Sequence, residues 1–153
     1  MEMIFNDEYF MKEALKEAHK ALSEDEIPVG AVIVCNNRII ARAHNLTEKL
    51  NDATAHAEMQ AITSAAAFLN GKYLTDCTLF VTLEPCLMCA GASYWAQITR
   101  IVYGASDPKR GYSMLKGRIL HPGTTVSGGI LENECSQLLK DFFIITRKKN
   151  CKN

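Results

Sequence analysis

The sequence predicts an α/β fold: a three-layer α/β/α arrangement in which one mixed, roughly five-stranded sheet lies between helix layers. Three observations carry this. An amphipathic helical pattern precedes two short strands joined by Asn36-Asn37. Two apolar strand patterns, Thr78 to Leu83 and Ile98 to Tyr103, flank a helical one, and parallel neighbours need such a crossover. Helical patterns recur often enough to cover both faces of a sheet. At 153 residues the chain is read as one domain, 1–153, long enough to bury a core. An apolar share of 48% against a charged share of 22% matches an ordinary soluble globular protein. No apolar run reaches the roughly 20 residues of a membrane span.

Residues 7–23 place Tyr9, Phe10, Leu15, Ala18, Ala21 and Leu22 at mostly helical spacing, with charges between them. Asp7 is the expected N-cap, and Pro28 lies just past the end, where a helix could not continue. Val29 to Cys35 is a buried strand. Asn36-Asn37 tolerates the positive φ of a tight hairpin turn, and Arg38 to His44 returns antiparallel. A polar loop from Asn45 to Thr54 leads into a second helix, about Ala55 to Leu69. Its apolar stripe is Ala57, Ala61, Ile62, Ala65, Ala66 and Leu69, and Thr54 is its expected cap. His56 and Glu58 then fall in its first turn, and Asn70-Gly71-Lys72 ends it. Thr78 to Leu83 is nearly continuous in apolar character, suited to burial on both faces. Pro85 introduces a third helix, about Cys86 to Ala96. Ile98 to Tyr103 is another strand and Ala105 to Tyr112 a loop. Met114 to Leu120 is a short helix, Thr124 to Val126 a short strand, and Leu131 to Arg147 a closing amphipathic helix.

Two stretches concentrate chemistry: His56-Ala57-Glu58 and Pro85-Cys86-Leu87-Met88-Cys89. One imidazole and two thiols make three zinc ligands. Structural zinc sites close all four positions with protein, whereas catalytic sites keep one for water. Both stretches open a helix, where free N–H groups and the positive dipole end favour anions. Glu58 is then free to move the protons of that water, and general acid–base help contributes typically about 10²–10⁴-fold. Taken singly the parts have plainer readings. His56 can be a helix-start histidine, Glu58 a dipole-matched acid, and Cys86 with Cys89 a redox pair. A closed zinc centre in a binding module is a further alternative. Together, in this order and with proline before the first cysteine, they favour metal-assisted hydrolysis: a nucleophile derived from water adds to an amidine-like ring carbon and ammonia departs.

The remaining cysteines add no function. Cys35 and Cys77 lie in strand-like runs and read as buried small hydrophobes, Cys135 sits in a helical pattern, and Cys151 in a polar tail. The N-terminal residues lack the basic and apolar regions of an export signal, so a cytoplasmic protein is expected. In that setting a Cys-x-x-Cys pair points to metal or redox chemistry rather than to a disulfide framework. The net charge is zero, but the distribution is uneven. Arg100, Lys109, Arg110, Lys116 and Arg118, with Arg147, Lys148, Lys149 and Lys152, make the second half basic, as either an ordinary solvated surface or a face for RNA.

At these motifs the chain resembles the cytidine-deaminase-like superfamily, and within it the bacterial tRNA-specific adenosine deaminases. His-x-Glu followed by Pro-Cys-x-x-Cys is the known signature of zinc-dependent base deaminases. The resemblance runs through Ile27-Pro28-Val29-Gly30-Ala31-Val32, His44-Asn45, Thr54-Ala55-His56-Ala57-Glu58-Met59 and Thr82 to Ala92. It continues in Tyr103 to Lys109 and Leu138 to Phe143. It implies a cytidine-deaminase-like fold and adenosine-to-inosine conversion at the wobble position of a tRNA anticodon, with deamination of a free base or nucleoside such as guanine or cytosine as the alternative. It implies one zinc per subunit on His56, Cys86 and Cys89, with Glu58 as the proton shuttle. It implies Asn45 hydrogen-bonding the flipped base between Val29 and Leu83, and Asp107, Lys109 and Phe143 touching the anticodon loop. It further implies a homodimer with Tyr94 and Trp95 near the subunit boundary. After Ala92 the chain reads Ser93-Tyr94-Trp95-Ala96-Gln97 where the family commonly has a His-Ser-Arg run, so a cation is missing there. The segment from Gly111 to Thr125 also diverges.

Overall fold

The computed structural model describes residues 5–152. Residues 1–4, which entered the reading of the N-terminus as lacking an export signal, fall outside that range. Four helices and five strands follow in the order α1 (Asp7–Ser23), β1 (Gly30–Cys35), β2 (Arg38–His44), α2 (Ala57–Leu69), β3 (Cys77–Leu83), α3 (Leu87–Ala96), β4 (Arg100–Ala105), β5 (Thr125–Ser127) and α4 (Glu132–Asn150). The strands form one mixed sheet in the order β2-β1-β3-β4-β5. β1 runs antiparallel to both β2 and β3, while β3, β4 and β5 are parallel. The expected α/β architecture is therefore the observed one.

Alternation along the strands sends apolar side chains to both faces. Ala31, Ile33, Leu79, Val81 and Ile101 pack with Ala57, Ala61 and Ala65 of α2. Val32, Val34, Phe80 and Val102 pack with Phe10, Met11 and Ala14 of α1 and with Cys135 of α4. Both of the hairpin asparagines, Asn36 and Asn37, have positive φ, as a tight two-residue turn requires. Gly30 is the point of closest approach between α1 and β1: a Cβ there would run into the backbone of Ala14 and Ala18.

Several element ends differ from the sequence expectation. Asn6, not Asp7, caps α1, its side chain accepting from Tyr9 N at 2.9 Å. Asp7 is instead bidentate with Arg100 of β4, both contacts at 2.7 Å. α2 begins two residues later than expected. His56 is its N-cap, and Thr54 turns back to Asp52. β4 is shifted by two residues to Arg100–Ala105. The helix expected over Met114 to Leu120 is only a 3₁₀ turn at Tyr112–Met114: Leu115 is already extended and Gly117 takes a φ of 104°, which a helix cannot contain. Cys77 is buried, its thiol pushed up to about 12 by that burial, but Cys35 opposite it is only half-buried.

α1 is fastened to β2 through acids on its buried side. Glu13 accepts from Arg42 at 2.8 Å, and Glu17 contacts His44 at 3.2 Å. The Arg42 hydrogen bond is the main cause that holds the Glu13 carboxyl below its usual 4.5. A depressed carboxyl pKa adds stability above its unfolded value and loses it as pH falls through the folded one. Arg42→Met should therefore cost about 1 kcal/mol at neutral pH, a value discounted because the arginine is partly exposed. Thermal midpoints of variant and parent, measured across pH, should converge in acid. A constant gap at all pH values would assign the loss to packing.

Candidate active site

Two helix starts meet at one end of the sheet. β3 ends at Leu83, Pro85 forbids a further ladder bond, and Cys86 becomes the N-cap of α3. His56 holds the same position on α2. Neither side chain caps its own helix. Both are free to converge, and at each helix start the first N–H groups have no intrahelical partner. His56 Nδ1 lies 3.6 Å from both Cys86 Sγ and Cys89 Sγ. All three donor atoms fall within 4.8 Å of one another, the one such group of His, Cys, Asp or Glu ligands among the described residues. A tetrahedral zinc ion bound by nitrogen at about 2.0 Å and sulfur at about 2.3 Å holds those donors roughly 3.5 Å apart. The chemistry and spacing of this donor set fit zinc. No fourth such ligand joins it among the described residues, as the closed-centre alternative requires.

Glu58, in the first turn of α2, is buried beside this group, with its Oε2 3.4 Å from Cys89 Sγ. Burial raises its proton affinity. Cys86 is held down to about 4, chiefly by the hydrogen bond from Cys89, while Cys89 is pushed up by donating that bond. His56 is raised by its hydrogen bond to Cys86. Protons are thus shared within the group, and a bound dication displaces them.

The other predicted site residues divide into two sets. Asn45 is buried, and its backbone N–H donates to Val29 O at 3.1 Å. The next residue ties this loop to the histidine: Leu46 N donates to the carbonyl of Ala55 at 3.0 Å. Val29 is buried at the entry to β1, and Leu83 is half-buried at the end of β3. Gly30 N donates to Thr82 Oγ1 at 3.1 Å and holds those two strand ends side by side. Asp107 lies further out. Its carboxylate accepts from Lys109 N at 3.2 Å and Arg110 N at 3.0 Å, which closes a turn and leaves the Lys109 side chain exposed. Phe143 is exposed on α4, edge-on to Phe142, and no hydrogen bond or ring contact among the described residues joins it to the cluster.

Sequence reasoning missed two buried acids, Glu26 and Glu84. Glu84 accepts from Ser113 N at 3.1 Å, Ser113 Oγ at 2.8 Å and Asp107 N at 3.4 Å. Gly111 N donates to Asp107 O and Tyr112 N donates to Pro85 O, both at 2.9 Å. A Cβ on Gly111 would overlap the Glu84 carboxylate. Glu84 thus pins the segment from Asp107 to Ser113 against the Cys86 loop. The available signal was an acid set among apolar residues and proline, Glu26-Ile27-Pro28 and Leu83-Glu84-Pro85. An acid so placed is buried only if paired.

Residues 5–105 match the family of the cytidine and deoxycytidylate deaminase zinc-binding region. A tRNA-specific adenosine deaminase of Bacillus subtilis is 48% identical over 149 residues, covering 94% of this chain and 92% of that one. Among solved structures, one from studies of A-to-I editing by tRNA:A34 deaminases at the wobble position superposes with a TM-score of 0.81 at 43% identity, covering 86% of this chain and 99% of the other. A guanine deaminase of Bacillus subtilis superposes at 0.63, also 43% identical, but covers only 66% of this chain and 65% of the other. With its histidine and two cysteines spaced for zinc and its relatives matched almost from end to end, the chain belongs to the cytidine and deoxycytidylate deaminase zinc-binding family, among the tRNA-specific adenosine deaminases.

Proposed function

We propose that this chain, acting as one deaminase domain, hydrolyses adenosine to inosine at the wobble position of a tRNA anticodon. The observation that carries the chemistry is the triple of His56 Nδ1, Cys86 Sγ and Cys89 Sγ with the buried Glu58 carboxylate against it. Near full-length identity to tRNA-specific adenosine deaminases supports the substrate, whereas similarity to a guanine deaminase covers only part of either chain.

His56, Cys86 and Cys89 hold one zinc ion per subunit. Bound there, zinc supplies a Lewis acid that brings the pKa of water toward about 7. Glu58 takes the proton released as the nucleophile adds to C6 of adenine, and passes it to the ring nitrogen. The proton left on the added hydroxyl then goes to the exocyclic nitrogen, the C6–N bond breaks as the C6 carbonyl forms, and ammonia leaves with inosine as the product. Burial of Glu58 keeps bulk water from competing for these protons. Val29 and Leu83 flank the base, and Asn45 hydrogen-bonds to it. An adenine extruded from a single-stranded loop suits such a pocket, since RNA loops are read as splayed bases.

Lys109, exposed beside the Asp107 turn, meets the RNA backbone, and Phe143 offers an exposed ring to the anticodon loop. The chain forms a homodimer. Trp95 is 78% exposed and packs edge-on to Tyr94, an apolar surface on α3 suited to a partner subunit. No helix among the described residues is long and apolar enough to cross a membrane, and a tRNA substrate is in keeping with the cytoplasm.

The deciding assay presents a minimal anticodon stem-loop beside a panel of free bases. Inosine should form in the stem-loop together with one ammonia. No inosine, with rapid ammonia release from a free base, would overturn the tRNA reading. Glu58→Ala should keep its fold and its zinc while the rate falls by roughly 10²–10⁴; near-normal turnover would remove Glu58 from proton transfer. For Cys86→Ala, elemental analysis should find far less than one equivalent of zinc, and a full equivalent would contradict its role as a ligand.

A further inference from the structure

Glu26 is fully buried at the end of the α1–β1 connection, next to the loop that bears Asn45. Its two carboxylate oxygens divide their work. Oε1 accepts from Lys49 N at 2.7 Å, and Oε2 accepts from Glu48 N at 3.1 Å. Oε2 also faces Asn45 Nδ2 at 3.4 Å and Thr47 Oγ1 at 3.5 Å, and Asn45 Nδ2 reaches Thr47 Oγ1 at 3.4 Å. The side-chain contacts are long, so their energy does not decide the arrangement; their sign does. Rotating the Asn45 amide by half a turn would set its carbonyl oxygen against a carboxylate oxygen, two acceptors with no proton between them. The planar amide therefore keeps its NH₂ edge toward Glu26.

The opposite edge carries the second observation. Asn45 is 5% exposed, and its Oδ1 is the one buried side-chain polar atom without a partner among the described residues. A buried acceptor left unmet costs about 1–3 kcal/mol. The loop holding it is tied both to Val29 and to Ala55, the residue before His56.

We propose that Glu26 is a positioning residue that locks the Asn45 amide, so that the site offers the substrate a hydrogen-bond acceptor and selects a ligand bringing an N–H or O–H to that point. This rests on the reading of Asn45 as a substrate contact. A ligand presenting a bare acceptor there leaves two lone-pair atoms facing each other, so Glu26 contributes to selectivity without touching the ligand.

The lock itself is read without activity, by NMR of zinc-loaded protein labelled with ¹⁵N-asparagine and the Asn45 signal identified by its loss in Asn45→Ala. The Asn45 NH₂ protons should be shifted and exchange-protected in the parent, and should move toward free-amide values in Glu26→Gln. An Asn45 signal indifferent to Glu26→Gln overturns the proposal. Kinetics then tests its consequence on the stem-loop, or on whichever free base the parent deaminates, so a failed tRNA reading is seen in the parent alone. Glu26→Gln should lower kcat/KM about tenfold in the parent and less than about twofold in Asn45→Ala, because residues acting through one another are not additive. Multiplying losses would make Glu26 merely structural. Thr47→Val, which removes the other acceptor for Nδ2 and one long hydroxyl contact to Glu26 while leaving the carboxylate and its backbone donors in place, should show the same dependence on Asn45. A loss independent of Asn45 would count against the lock.

Discussion

The structure depends on one constraint: three ligand atoms from two helices must stay within a few ångströms of each other. The sheet meets it. β1 pairs antiparallel with β3, and β3 runs parallel to β4, so α3 is a crossover that starts where β3 stops. α2 covers the same face, with Ala57, Ala61 and Ala65 fully buried against the strands. Small residues let α2 lie close to the sheet and beside α3, and the two N-termini are brought to one edge. Two cooperative helices are thus arrested at N-caps whose side chains serve a different purpose from capping.

Around that edge, buried acids do the work that apolar packing cannot. A loop cannot be held by hydrophobic burial alone when its backbone must stay polar and accessible. Glu26 and Glu84 each receive backbone N–H groups from a loop near the centre, and each is buried only because those donors are present. Glu58, also buried, is left with a sulfur contact, and burial raises its affinity for a proton. Three carboxylates of the same burial therefore behave differently according to what faces them.

Much of this was legible in the sequence. The helical stripe of α1 and the apolar runs of β1 and β3 are statements about burial, and the structure follows them. The ligand set was legible because proline and Cys-x-x-Cys at a helix start leave few geometries open. Element ends were less legible where a side chain chose a distant partner: Asp7 left the cap of α1 for Arg100, 93 residues away. The expected helix after Met114 is broken by the extended Leu115 and the positive φ of Gly117, while Ser113 beside it is held by Glu84, a long-range contact no local pattern encodes. Periodicity reports which face is buried; it does not report which buried acid a loop will find.

Gly111 carries a consequence beyond its own turn. With no side chain, it lets the Glu84 carboxylate reach the strap from Asp107 to Ser113, and it bridges directly to Cys86. The strap and the segment that bears the two cysteines therefore form one mechanical piece. Stripping the ion would slacken the outer strap as well as silence the reaction, because the strap leans on the same turn that presents the thiols.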